Sequence, residues 1–475
     1  MENQESKESL VVFSTSQGMG LRARLLKVTR FSAVFEMHNA SAELRLSEVL
    51  QHFRITLADR EVYSGKAVVC SLINTGPAVI IGAATLSESA WKDIGFTATN
   101  GQAKKLGAEY DGFLAEWQKL YKVRSEYKLV LADMQTYFTD LRLWVDQLEL
   151  GISSVSVGDR PMLEQELAAK LGESAKATFS ALFEGFEAAA QSVEPEFLPA
   201  HRIFAKRQLH PLLLCSPFFH RCYVKPLGYA GDYEMVNMML RNPFEGGSLF
   251  AKVINRWFLD QPPVVAHRNR IDYLTGLLSR VAVTAASEGR TARIMNLGCG
   301  PAQEVQRFLA TSALSAHTDF TLLDFNEETI RNTRALMDEI KVKYGRPTPF
   351  HFIKKSVHQL IKESLRNIDS PVQPKFDLVY CAGLFDYLSN ASCTRLMELM
   401  YEWVKPGGLL VATNVHSSNP SIGWMEHLVD WHLVYRDAAG MVTLVPKAAS
   451  PEYDQILAEG KGINVFVEVA KPKHG

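Results

Sequence analysis

The sequence has few cysteines, no long apolar run and almost no net charge, and each shortage excludes a class of protein. The six cysteines, Cys70, Cys215, Cys222, Cys299, Cys381 and Cys393, lie far apart and form no CxxC pair. Such spacing supports neither a disulfide scaffold nor a zinc site, so no metal is expected. No apolar run approaches the roughly 20 residues needed to span a bilayer, and "GPAVIIGAA" is far too short. The opening "MENQESKESL" is polar and lacks the apolar core of a secretory signal, so a cytoplasmic location is expected. With 51 basic against 52 acidic residues, the net charge of -1 gives no global attraction to nucleic acid or anionic lipid. There is also no internal repeat and no low-complexity tract.

What is present is an ordinary globular composition, 47% hydrophobic and 22% charged, on a chain too long at 475 residues for one core. Three textures follow one another. Within residues 1–98, "RARLLKV", "SAVFEMH", "FRITLA", "GKAVVCSLI" and "PAVIIGAATL" are short β-rich runs broken by turn residues, which predicts a small antiparallel barrel. Residues 99–200 read as helical. "FLAEWQKLYKVRSEYKLVLADMQTYFTDLRLWVDQLEL" repeats apolar residues at three and four positions, with Gly151 as the expected C-cap. "EQELAAKLGESAKATFSALFEGFEAAAQSV" is a second helix of this region, which suits a scaffold or a homodimer face. Residues 201–290 continue helical as a lid over cofactor or substrate. From 291 to 475, strands and helices alternate: "RIMNLG", "FTLLDF", "PFHFIKKSV", "FDLVYCAG" and "GGLLVATNV" are the strands. This pattern predicts an α/β domain with a parallel sheet covered by helices. "WHLVYRD" and "NVFVEVAK" then read as a closing antiparallel pair.

The most informative stretch is "RIMNLGCGPAQEVQRFL", Arg293 to Leu309. Gly298 and Gly300 end a strand and precede a helix, where free N–H groups and a close backbone approach favour a ligand. A dinucleotide fingerprint needs a third glycine, yet Gln303 stands there and Pro301 removes a donor. Both departures are compatible with one nucleoside joined to a small carboxylate, as in S-adenosylmethionine (SAM). Asp324 ends the next strand, where a carboxylate can accept both ribose hydroxyls; it would otherwise cap the helix beginning "NEETI".

These motifs carry a resemblance. From about 291 to 472 the chain resembles the class I SAM-dependent methyltransferases, through "NLGCGPAQE", "LLDF", "FDLVYCAGLFDYL" and "VKPGGLLVATN". The resemblance implies a Rossmann-like seven-stranded sheet with a reversed last strand, preceded here by the helical region and the barrel. It also implies a SAM site built from Asn296, Gly298, Cys299, Gly300, Asp324, Phe325, Ser356, Val357, Cys381, Ala382 and Gly383. The family often has an acidic residue near Ser356, which is absent here. Nearly the whole chain, through "KPLGYAGDYEMVN", "HRNRIDYL", "LKVTRFSAVFEMHN" and "REVYSGKAVV", resembles bacterial extracellular-factor 3-hydroxypalmitic acid methyl ester biosynthesis proteins. That implies methylation of a 3-hydroxy fatty acid carboxylate to give a quorum-sensing methyl ester. The N-terminal part resembles a PilZ-like barrel. Arg22, Arg24 and Arg30 do not make its RxxxR motif; "KVTRFS", Lys27 to Ser32, stands where its second motif would align, and an alternative register, "NASAEL", puts Leu44 in the glycine position, which argues against cyclic-di-GMP binding.

The acceptor side is read from residues near these motifs. In "KPLGYAGDYEMVN", Tyr229 and Asp232 are candidates to touch SAM and Tyr233 to face the acceptor, with a capped helix start as the competing reading. Arg268 and Arg270 of "VAHRNRIDYL" suit a bidentate grip on a carboxylate of SAM or acceptor, or a solvated helix face. After strand four, Phe385 and Tyr387 would meet the acceptor; after strand five, Asn414 and His416. His416 would act as a base or orient the acceptor. "SIGWMEHLVDWHLVY" would line an acyl slot or cover the sheet as a buried helix. Two further functions stay open: a regulatory protein whose barrel senses a nucleotide or partner, and a methyltransferase acting on an amine or protein side chain.

Overall fold

The computed structural model describes residues 10–38, 44–57, 60–76, 79–92, 123–152, 154–366, 376–449 and 454–473. The part of the first helical run before Val123, and most of "NASAEL", lie outside these. The chain divides into two compact units. The first holds Met1–Ala230, Pro243–Phe258 and Pro420–His432; the second holds Gly231–Asn242, Leu259–Asn419 and Leu433–Gly475. Among the described residues no helix is long and apolar enough to cross a membrane.

In the first unit, six strands close an antiparallel barrel: β1 (Leu10–Ser14), β2 (Gly20–Val28), β3 (Ser32–His38), β4 (Val49–Leu57), β5 (Arg60–Gly76) and β6 (Val79–Leu86). Their order around the barrel is β1-β2-β3-β6-β5-β4. Alternation in β1 sends Val11 and Phe13 inward, where Phe13, Phe35, Phe53 and Tyr63 stack with ring centroids 5.3 to 6.2 Å apart. β1 was not among the five runs read from sequence; it completes the closure by pairing with both β2 and β4.

The helical part of this unit contains α1 (Ser125–Ile152), α2 (Arg160–Gln191), α3 (Leu198–Leu213) and α4 (Pro217–Val224). Gly151 lies inside the last turn of α1 rather than capping it. Phe138, Phe179, Phe183, Trp257 and Phe258 interlock edge to face through this unit, a geometry that adds to their area burial.

The second unit is a doubly covered sheet. Its strands are β7 (Ala292–Leu297), β8 (Thr318–Asp324), β9 (Phe350–Lys354), β10 (Phe376–Cys381), β11 (Val404–Val415), β12 (Asp454–Ala458) and β13 (Asn464–Ala470), in the order β12-β13-β11-β10-β7-β8-β9. β7 to β11 run parallel, and β13 is antiparallel to both β11 and β12. Alternate residues feed two cores: Met295, Val379 and Leu410 face one side, and Ile294, Leu378 and Val411 the other. The helices are α5 (Tyr233–Leu240), α6 (Leu249–Leu259, which runs across the unit boundary), α7 (Pro262–Ser287), α8 (Gln303–Thr311), α9 (Glu327–Tyr344), α10 (Val357–Arg366) and α11 (Asn390–Trp403).

Two expectations need correction. "WHLVYRD" is not a strand: it is extended chain whose Val434 N–H bonds to Asp386 O and whose Arg436 N–H bonds to Val415 O. The strand beside β13 is instead β12. "SIGWMEHLVDWHLVY" contributes the short helix α12 (Ile422–Leu428), which packs on α2 and α3 of the first unit rather than covering the sheet. The short helix α13 (Ala438–Val442) follows it in the second unit.

The excursion bearing α12 is fastened by one carboxylate. Glu187 accepts from the N–H groups of Gly423 (2.5 Å) and Trp424 (2.9 Å). Burial, reinforced by Glu426 and opposed by those N–H groups, raises its pKa from 4.5 to about 7. Folding therefore favours the protonated form, so this group's contribution is full below about pH 4.5 and is lost as pH rises through about 7. Urea titrations at pH 5 and pH 7.5 should show wild type losing about 2 kcal/mol relative to Glu187→Gln; parallel losses would remove the assignment.

Candidate functional site

β7 ends at Leu297, and the chain then turns through Gly298 (φ +72°), Gly300 (φ +50°) and Ala302 (φ +49°) into α8. The N–H groups of Gly298 and Cys299 both donate to Leu323 O, at 2.8 and 2.9 Å. The Thr333 hydroxyl donates to Gly300 O at 2.7 Å. The loop is thus held by the neighbouring strand and by α9, and no neighbour lies within 4 Å of where a Cβ on Gly300 would stand.

Asp324, buried at the end of β8, completes this frame. One carboxylate oxygen accepts the Gly300 N–H at 3.1 Å and the other the Asn326 N–H at 3.0 Å. Asn326, not Asp324, caps α9 through its bond from Thr329 N–H.

Beneath the loop lies a carboxylate that the sequence reading missed. Glu304, in the first turn of α8, accepts from Asn296 Nδ2 (3.0 Å) and from the Tyr380 hydroxyl (2.7 Å). Burial raises its pKa. Asn296 Oδ1 is buried without a partner. Glu304 gave no signal of its own because a glutamate in a first helical turn is common.

At the end of β10, Cys381 is buried, Ala382 and Gly383 are half-buried, and Phe385 lies fully inside. Asp386, also missed, is buried with Oδ1 accepting Val415 N–H at 2.6 Å. Burial, opposed by Arg270, that N–H and Arg436, leaves its pKa at about 6. Asn414 is committed: Nδ2 donates to Val415 O and Val434 O, and Oδ1 accepts from Arg436. Beyond β9, Ser356 and Gln359 form a reciprocal capping box at the start of α10, and Val357 is buried there. Phe325 is half-buried beside Asp324.

The helix α5 reaches this region from the side. Asp232 caps it, accepting Met235 N–H at 2.8 Å. Asn237 Oδ1 accepts from Gln303 Nε2 of α8 (2.7 Å), and the Tyr233 hydroxyl donates to Glu328 of α9 (2.9 Å). Asp232 and Tyr233 are thereby joined to the helices that follow the glycine loop and Asp324. Tyr229 is half-buried in the first unit. The Tyr387 hydroxyl packs on Gly231 (φ +77°), 2.7 Å from where a Cβ would stand. His416 Nδ1 accepts Ser418 N–H at 2.9 Å.

The two arginines part company. Arg268 donates to the carbonyls of Met239 and Leu259 and faces Asp260. Arg270 is buried, and among the described residues its single hydrogen bond is to His267 Nδ1 at 2.8 Å.

Residues 294–408 match the family model described as a methyltransferase domain. This segment is a methyltransferase domain. The residues present fit S-adenosylmethionine: an acceptor carboxylate at Asp324, an open glycine at Gly300, and an unpartnered buried oxygen on Asn296. No curated protein matches the chain. Similar solved structures include a possible exported protein from Bordetella parapertussis, at 15% identity over 65% of this chain and 97% of that one (TM-score 0.42). Another is magnesium protoporphyrin IX methyltransferase from Synechocystis PCC 6803 with bound SAM, at 11% over 44% and 81% (0.31). A third is an O-methyltransferase family protein from Burkholderia thailandensis, at 12% over 60% and 75% (0.32).

Gly231→Ala should weaken S-adenosylhomocysteine binding roughly tenfold in calorimetry, through backbone strain and the Tyr387 clash. Adding Tyr387→Phe should restore part of that loss. Unchanged affinity in Gly231→Ala would detach this segment from the cofactor site.

Proposed function

We propose that this domain methylates a small molecule, and that the acceptor is the carboxylate of a 3-hydroxy fatty acid, giving a methyl ester signal. The observation that carries the transfer reading is the Asp324 carboxylate joined to the glycine loop. When bound, SAM supplies a methyl group on a cationic sulfur. The acceptor oxygen gains the new C–O bond as the C–S bond breaks and its electron pair stays on sulfur, so no proton has to move.

A carboxylate is already ionised at neutral pH. The residues therefore have only to orient the acceptor and exclude water, and orientation alone can supply on the order of 7–11 kcal/mol. The condition of the three candidate bases supports this acceptor. His416 Nδ1 already accepts a backbone N–H, the Tyr233 hydroxyl donates to Glu328, and the Tyr387 hydroxyl lies against Gly231. None is positioned as a free proton acceptor. In this reading Asn296, Gly298, Gly300 and Asp324 hold the donor, and Gly383 and Tyr387 border the acceptor.

Asp386 favours a second reading, an amine or hydroxyl acceptor. A buried carboxylate with a pKa of about 6 is a competent general base near neutrality. A regulatory reading also has support in the first unit, where Val49 N–H of the barrel donates to Gly228 O, at 2.7 Å, three residues before Gly231.

Turnover should be followed with 3-hydroxy acids of graded chain length, with an amine panel beside them and cyclic-di-GMP titrated as a control. Carboxylate methylation should proceed at a rate nearly flat from about pH 5.5 to 9 and should survive His416→Ala and Asp386→Asn. A rate that rises with pH through about 6 and disappears in Asp386→Asn would replace the carboxylate with the amine or hydroxyl reading.

A further inference from the structure

Arg270 carries a buried positive charge whose five N–H donors make, among the described residues, a single hydrogen bond. It projects from α7 and is only 8% exposed. Among the described residues no carboxylate lies within ion-pair distance of it, and its one hydrogen bond goes to a neutral acceptor, His267 Nδ1. Burial, then Arg270 and Arg268, hold the His267 pKa well below its ordinary value, so the imidazole stays uncharged and its lone pair points the guanidinium. His267 and Arg270 are three residues apart on one helix, which places them on one face.

The nearest anions are occupied. Asp386 receives Val415 N–H, and Glu304 receives Asn296 and Tyr380. Both attract Arg270 from beyond ion-pair distance. The opposite wall is Gly383, with φ +94°, where a Cβ would stand 3.1 and 3.3 Å from the two terminal guanidinium nitrogens. Glycine at this position leaves the fork room at the carboxyl end of β10, where ligands of such sheets bind. A buried charge with no counter-ion is unfavourable until an anion arrives, and a planar fork matches the two oxygens of a carboxylate.

We propose that Arg270, aimed by His267 and given room by Gly383, is the carboxylate-binding group of this cleft. It rests on the methyltransferase reading for its ligands, which offer two carboxylates: the amino-acid end of the donor and the acid group of the acceptor. Arg268, held by the carbonyls of Met239 and Leu259, does not share the task.

Calorimetry on the full chain distinguishes the sources. Wild type, Arg270→Gln and Gly383→Ala would be titrated with S-adenosylhomocysteine and with 5′-methylthioadenosine, which lacks the amino-acid end. The same proteins would be titrated with 3-hydroxydecanoate and with its methyl ester. Both variants should lose roughly ten- to hundredfold in affinity for one carboxylate-bearing probe and stay within about twofold for its carboxylate-free counterpart. Loss confined to S-adenosylhomocysteine places the donor's carboxylate on Arg270; loss confined to 3-hydroxydecanoate places the acceptor's there. Gly383→Ala keeps the test available if Arg270→Gln fails to fold. Unchanged affinity for both carboxylate probes, or equal loss within each pair, would overturn the proposal. If wild type ignores S-adenosylhomocysteine yet grips 3-hydroxydecanoate through Arg270, the donor assignment falls and the carboxylate site stands.

Discussion

The cofactor region depends on the Asp324 carboxylate. Its two oxygens bind the N–H groups of Gly300 and Asn326, so one side chain joins the glycine loop to the turn after β8. Without it, two parallel strands would end in loops free to adjust independently, and the spacing between the glycine loop and the turn after β8 would not be set. The remaining parts of the site attach to these two turns. α8 carries Glu304 back beneath the first, α9 begins at the second, and α5 bonds to both helices.

Polar burial below the sheet's carboxyl edge follows a simple division. Glu304, Asp386 and Arg436 sit inside, and each answers backbone or side-chain partners already in place. Arg436 in particular draws the carbonyls of Phe385 and Leu388 together with Asn414, which makes the turn after β10 rigid. Such fully answered groups specify a conformation. Arg270 differs from them in making, among the described residues, one hydrogen bond for its five donors, and this contrast within one small volume is what separates scaffold from binding group.

Much of the second unit was legible because its strands are apolar on both faces and its helices periodic, a pattern set by burial alone. The glycine loop and Asp324 were legible because they combine rare backbone freedom with a fixed distance along the chain. The failures have physical causes. "WHLVYRD" has the apolar and aromatic content of a strand, but its backbone stays outside the ladder, with Val434 N–H on Asp386 O and Arg436 N–H on Val415 O. "DQILA" is a real strand of five residues with no strong pattern, recruited by β13. β1 is equally short, and barrel closure rather than local composition makes it a strand. Glu304 and Asp386 look like ordinary helix and turn residues until burial gives them roles.

The chain passes between its two units at Ala230, Asn242, Phe258, Asn419 and His432. Those crossings impose an order on synthesis. The aromatic interior around Phe258 lacks Trp424 until five strands of the other unit have emerged from the ribosome. The sheet in turn waits for β13, which fills a place between β11 and β12 rather than an edge. The first unit cannot be complete before five strands of the second have been made, so the usual sequence of one domain maturing before the next begins is closed to this protein. Among the described residues the barrel, whose strands run from Leu10 to Leu86, is the part able to close before any strand of the other unit exists.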